Sequence, residues 1–152
     1  MIILFVIFLI SRIWILQHPP AKFSDVKEDY ERYANQWRYG LTPYREIMFE
    51  YPPAVIPLIA LPLELDQRGI GKYYLNYRVQ TFAFEILLFT AMVFCTLHIQ
   101  KEANPKHRGL KDWRSWIPYI FYIGAGVLAK DYWYEGIDLI FFGSFTLGLM
   151  FV

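Results

Sequence analysis

Gln80–Ile99 reads QTFAFEILLFTAMVFCTLHI, with Glu85 as its one charged residue. A helix crossing the hydrocarbon core of a bilayer needs roughly 20 predominantly apolar residues. This stretch alone predicts a membrane helix, and the rest of the chain is read outward from it. Upstream lie two more apolar runs, 1–17 and the proline-rich 49–63; downstream lies a long apolar tail, 115–152, broken at Lys130–Glu135. Residues 49–63 contain Pro52, Pro53, Pro57 and Pro62 and fall short of a full span. They are expected to form a helix lying in the interface, since internal prolines break the helical ladder.

Charge fixes an expected topology. Lys101, Lys106, Arg108, Lys111 and Arg114 outnumber the acids between 100 and 114, and short loops rich in Lys and Arg stay cytoplasmic. The reading is therefore all-α and polytopic. Residues 1–17 form transmembrane helix 1, 18–79 an extracytoplasmic loop with amphipathic and interfacial helices, and 80–99 transmembrane helix 2. Residues 100–114 form a basic cytoplasmic loop, 115–129 transmembrane helix 3, 130–136 an extracytoplasmic loop, and 137–152 an incomplete transmembrane helix 4. The N-terminal run lacks a basic leader and a small-residue cleavage site, so it reads as a retained helix and not a signal peptide. Arg12, near its end, is expected to snorkel to the interface. The last apolar run reaches Val152 with no flanking charge, so the sequence reads as the front part of a longer, truncated chain.

Hydrophobic residues make up 56% of the chain, aromatics 20%, and the net charge is +1. That balance offers no basic surface for nucleic acid. Cys95, the single cysteine, sits in an apolar run and has no disulfide partner. His18, His98 and His107 fall on different sides of the expected membrane, so no metal site and no cofactor is expected. The aromatics from Trp113 to Tyr134 are expected to form interfacial belts, with Tyr132–Tyr134 retained as a sugar-stacking candidate.

Chemistry concentrates in the first loop. Ser24 is placed to cap a following amphipathic helix in which Tyr30, Tyr33, Ala34 and Trp37 recur at helical spacing. Asp25 then stands at the helix start, just beyond the first membrane segment. Arg32, Arg45 and Lys72 are candidate partners for a donor phosphate, Arg45 beside Tyr44 being preferred. Glu85 is costly in lipid and is expected to face the bundle interior or a wet cavity.

The order Ser24-Asp25-Val26, Tyr33-Ala34, Gly40-x-x-Pro43-Tyr44-Arg45-Glu46 and Phe49-Glu50-Tyr51-Pro52-Pro53 resembles the first-loop signature of polyprenol-phosphate-mannose-dependent mannosyltransferases, glycosyltransferase family 87. It is more distantly similar to the GPI mannosyltransferase I catalytic subunit. Gly71-Lys72, Phe84-Glu85-Ile86 and Gly136-Ile137-Asp138-Leu139 are similar to later motifs of that group. The resemblance implies a GT-C membrane glycosyltransferase. Such an enzyme transfers a hexose, expected to be mannose, from a polyprenyl-phosphate donor to a lipid or glycan acceptor on the extracytoplasmic side of the plasma membrane. It implies Asp25 as general base, with Asp29 as rival because the spacing from Asp25 to Tyr33-Ala34 is about one residue longer than the signature has. Tyr44, Arg45, Glu50, Tyr51, Lys72 and Asp138 are the implied substrate-binding residues. Activity is expected to require helices beyond this fragment. The alternative is a non-catalytic polytopic subunit that binds lipid-linked sugar or a partner.

Overall fold

A computed structural model of the chain describes residues 2–18, 24–103, 113–137, 139, 140, 143 and 148. All the regular elements among them are helical. The apolar N-terminal run forms α1 (Ile2–Gln17). A π-helical turn, Val26–Tyr30, runs without a break into α2 (Glu31–Arg38). A short 3-10 turn, Pro53–Val55, leads into α3 (Ile56–Gln67), and α4 (Tyr73–Ala103) is the long helix. A second 3-10 turn, Trp113–Trp116, precedes α5 (Ile117–Leu128).

Two helix boundaries differ from the sequence reading, and each has a local cause. The helix expected over 49–63 occupies Ile56–Gln67 instead, because Pro52 holds an extended ψ of 151° and Pro57 falls in the first turn, where its missing N–H is no loss. Pro62 lies inside α3 and cannot donate to the carbonyl of Leu58. Gln80 of α4 supplies that donor, its Nε2 lying 2.9 Å from Leu58 O. Tyr73 and Asn76, on the same face of α4, reach Ile59 O and Pro62 O in the same way, at 3.1 and 3.3 Å. The proline thus joins α3 to α4 through side chains at helical spacing.

The long helix also begins earlier than residue 80. Asp66 accepts the Tyr73 amide at 3.0 Å and satisfies an orphan donor at the head of α4. The turn before it uses Gly69 and Gly71 at φ 76° and 69°, and a Cβ on Gly71 would lie 2.5 Å from Asn76 Oδ1. Within α4, Tyr73–Ile99 is long and apolar enough to cross a membrane. Its 27 residues rise about 40 Å against a hydrocarbon core of about 30 Å. Only 22% of its most apolar window is buried inside the protein, which is unlike the core helix of a soluble domain. The apolar helices α1 and α5 are shorter.

Two cores organise the chain. Leu4 and Phe8 of α1 meet Phe89 of α4 and Tyr119 and Ile123 of α5, with Phe8 and Phe89 stacked at 4.2 Å. Val26, Tyr30, Tyr33 and Ala34 meet Val55, Ile59 and Leu63 of α3, Tyr73 and Tyr77 of α4, and Ile137 and Ile140.

Arg12 does not snorkel. It is 0% exposed and pairs with Glu85, also 0% exposed, Nε to Oε1 at 2.8 Å. Its other nitrogens donate to Ile123 O, Tyr122 O and Ser11 Oγ, and the guanidinium lies over the rings of Phe8, Tyr122 and Trp133. Glu85 accepts further bonds from Tyr122, Trp133 and Tyr134, at 2.9, 3.2 and 2.5 Å. A buried ion pair is tolerable only when its remaining donors and acceptors are satisfied, and here every nitrogen of the Arg12 guanidinium and both oxygens of Glu85 have a partner. Glu85 faces the interior, as the cost of a charge in an apolar helix requires.

Candidate active site on the loop between α1 and α4

The loop site begins at the helix head. Asp25 occupies the N-cap position with helical dihedrals, makes no side-chain capping bond, and is exposed. Ser24 does not cap the helix with its hydroxyl. Its carbonyl accepts the amides of Lys27 and Glu28, both at 3.0 Å, while its side chain is buried and donates to Glu135. One turn on, Asp29 pairs with Arg32 at 2.5 Å. Arg32 is therefore engaged through one nitrogen by a carboxylate one turn earlier.

The Tyr51 phenol is the meeting point of the predicted site residues. Burial raises its pKa, and the carboxylates of Asp25, Asp29 and Glu50 push it further up, while a hydrogen bond from Tyr30 draws it down. The Tyr30 phenol itself is pushed far above its ordinary value, first by burial and then by Tyr77, and it accepts the Ile137 amide at 3.1 Å. Tyr30 and Tyr51 meet edge to face at 5.3 Å. Asp25 and Asp29 on the loop helix and Glu50 beside Tyr51 are thus within electrostatic reach of one phenol.

Tyr44 supports that neighbourhood from outside. It sits at φ 66°, a left-handed conformation that side chains rarely adopt, and its hydroxyl donates to Tyr51 O. Its ring packs edge-on against Phe49 at 5.6 Å. Glu46 closes the same turn by accepting the Thr42 amide at 2.7 Å, which holds its carboxyl below the ordinary range. Beside these residues runs an open groove of about 350 Å³, lined by Arg32, Tyr33, Gln36, Glu46, Ile47, Met48 and Glu50.

The remaining candidates are not gathered here. Arg45 is exposed on the Thr42–Ile47 turn and Lys72 on the Gly71 turn, and no ion pair among the described residues joins either to the Tyr51 group. Asp138 lies outside the described residues. Of the Tyr132–Tyr134 stretch, Tyr132 is 70% exposed, whereas Trp133 and Tyr134 turn inward to Glu85 and offer no sugar platform.

A second polar cluster was invisible to sequence reading. Arg78, buried on α4, donates to the carbonyls of Ile15, Leu16 and His18 at 2.8 to 3.0 Å and so closes the C-terminus of α1. Its Nε lies 3.6 Å from Glu135 Oε1, and Glu135 also accepts from Ser24 and Tyr74. Lys27 lies over the Tyr74 ring at 4.7 Å. A lone Arg at 12 and a lone Glu at 85 in apolar runs were the one available signal for complementary burial; nothing in the sequence links Ser24 to Glu135. Compared with protein-family models, curated proteins and solved structures, the chain matches none.

Proposed function

We propose that the chain is an integral membrane glycosyltransferase component that takes a hexose from a polyprenyl-phosphate donor. The observation that carries this reading is that Asp25, Asp29 and Glu50 all lie within electrostatic reach of the Tyr51 phenol, in the stretch that follows the apolar α1, with Glu50 also lining the groove. The leaving phosphate is stable as an anion, so the reaction asks chiefly for a base on the acceptor. Asp25 takes the proton of the acceptor hydroxyl, the oxygen forms its bond to the anomeric carbon from the opposite face, and the sugar–phosphate bond breaks with its electron pair leaving on the phosphate. Asp29 is the weaker candidate because one of its oxygens is committed to Arg32.

A multi-pass arrangement is part of the same proposal. Beyond α4, the outer faces of α1 and α5 expose Ile3, Ile10, Ile13, Ile120, Phe121 and Leu128. Apolar surface of that extent suits lipid, and the buried Arg12–Glu85 pair ties the three helices together.

The second reading, a non-catalytic subunit that holds lipid-linked sugar, is favoured by one feature. Among the described residues lining the groove, Arg32 is the one cation, and it is already paired. Transfer from radiolabelled polyprenyl-phosphate-mannose, measured in membranes carrying the protein, separates the two. Asp25→Asn is expected to lower transfer by about 100-fold or more at equal protein level, with Asp29→Asn much milder. Transfer by wild type that survives Asp25→Asn removes Asp25 as base, and absence of transfer by wild type favours the non-catalytic reading.

A further inference from the structure

Residues Trp133, Tyr134 and Glu135 follow one another in the loop after α5, yet they grip opposite partners. Trp133 and Tyr134 both donate to Glu85, deep among α1, α4 and α5. Glu135, 5% exposed, turns the other way and accepts from Ser24 Oγ and Tyr74 OH with Arg78 at 3.6 Å. Ser24 is itself buried, and its carbonyl receives the Lys27 and Glu28 amides in the first turn of the loop helix. The residue after it is the exposed Asp25.

We propose that Glu135 is a positioning residue that fixes the head of the loop helix, and with it Asp25, against α4. The role of Asp25 rests on the glycosyltransferase reading; the anchoring itself does not. The chemistry is economical: a buried carboxylate needs polar partners to remain charged away from water, and Glu135 finds them in Ser24 at the head of the loop helix and in Tyr74 and Arg78 of α4, while Arg78 in turn donates to the carbonyls at the end of α1. The grip of Glu85 on the adjacent Tyr134 fixes where Glu135 can stand. Ser24 therefore does more than a capping serine would. Among the described residues, its hydroxyl bond to Glu135 is what ties this anchor to the helix head, one residue before the exposed Asp25.

The test needs no sugar donor. In a Cys95→Ala background, a nitroxide is attached at Asp25→Cys and, as control, at Gln67→Cys, exposed at the end of α3. Ser24→Ala removes the bond while leaving Glu135 with Tyr74 and Arg78, and Ser24→Thr restores a hydroxyl. The spin label at position 25 is expected to tumble about two- to threefold faster in Ser24→Ala and in Glu135→Ala, to return to the parent line shape in Ser24→Thr, and to stay unchanged at position 67. An unchanged line shape at 25 in Ser24→Ala overturns the anchor, even if Glu135→Ala proves unfolded. In the transfer assay, with Asp25 intact, Ser24→Ala should lower kcat about tenfold with the donor KM unchanged. A kcat equal to wild type despite a freed helix head overturns the positioning role. A helix head freed by Ser24→Ala, beside a wild type that transfers no sugar, leaves the anchor standing and sinks the enzyme reading alone.

Discussion

A Cβ on Gly126 would lie 2.4 Å from Arg12 Nη1 and 2.6 Å from its Cζ. Gly126 is buried in α5, and its lack of a side chain is what admits the guanidinium between α1 and α5. Gly126→Ala is expected to destabilise the protein by about 1–3 kcal/mol through overpacking. The same change in an Arg12→Leu/Glu85→Gln background should cost far less, because the atom it meets is gone. Chemical unfolding in detergent micelles measures both, and equal losses in the two backgrounds would refute the assignment. Replacing only one charge should be worse than replacing both, since the survivor is left buried and unpaired. Sequence alone left Glu85 facing either the bundle interior or a wet cavity, and it sent Arg12 to the interface. A long cation near a helix end carries both options, and only the position of a carboxylate on another helix decides between them.

Elements show where local signals are strong and where they fail. Pro62 inside α3 is a defect that α4 repairs through Gln80. Gln80→Leu should cost about 1–3 kcal/mol by orphaning the Leu58 carbonyl, and Pro62→Ala should recover part of that loss by restoring a backbone donor. A double variant no better than Gln80→Leu alone, in the same unfolding measurement, would refute the account. The Thr42–Ile47 turn carries its own titration. The Thr42 backbone amide holds the Glu46 carboxyl below its ordinary value, so the charged form is favoured in the folded turn. That contribution is present above the ordinary carboxylate pKa and is lost as pH falls through the lowered one. The Thr42 amide resonance should therefore shift in acid with a midpoint under the usual glutamate value, and Glu46→Gln should abolish the shift. A midpoint at or above the usual value would contradict the geometry. The helical character of α1, α2, α4 and α5 was legible because apolar runs and helical spacing are local properties. The start of α4 was not, because the carboxylate that caps it belongs to α3, on the far side of two glycines.

At the scale of the whole molecule, the sequence placed Asp25, Asp29, Glu50 and Tyr51 in one loop, and the fold brings them to a shared neighbourhood. It could not place Glu135 beside Ser24, since contacts between distant segments leave no local pattern. The account rests on α4 carrying that loop on one side of a membrane and the basic 101–114 stretch on the other. Single cysteines at Met48 and Lys106, in a Cys95→Ala background, report the sidedness directly with a membrane-impermeant maleimide. Met48→Cys is expected to label in intact cells and Lys106→Cys only after the membrane is opened. Labelling of both without opening the membrane, or of Lys106→Cys alone, would contradict the account.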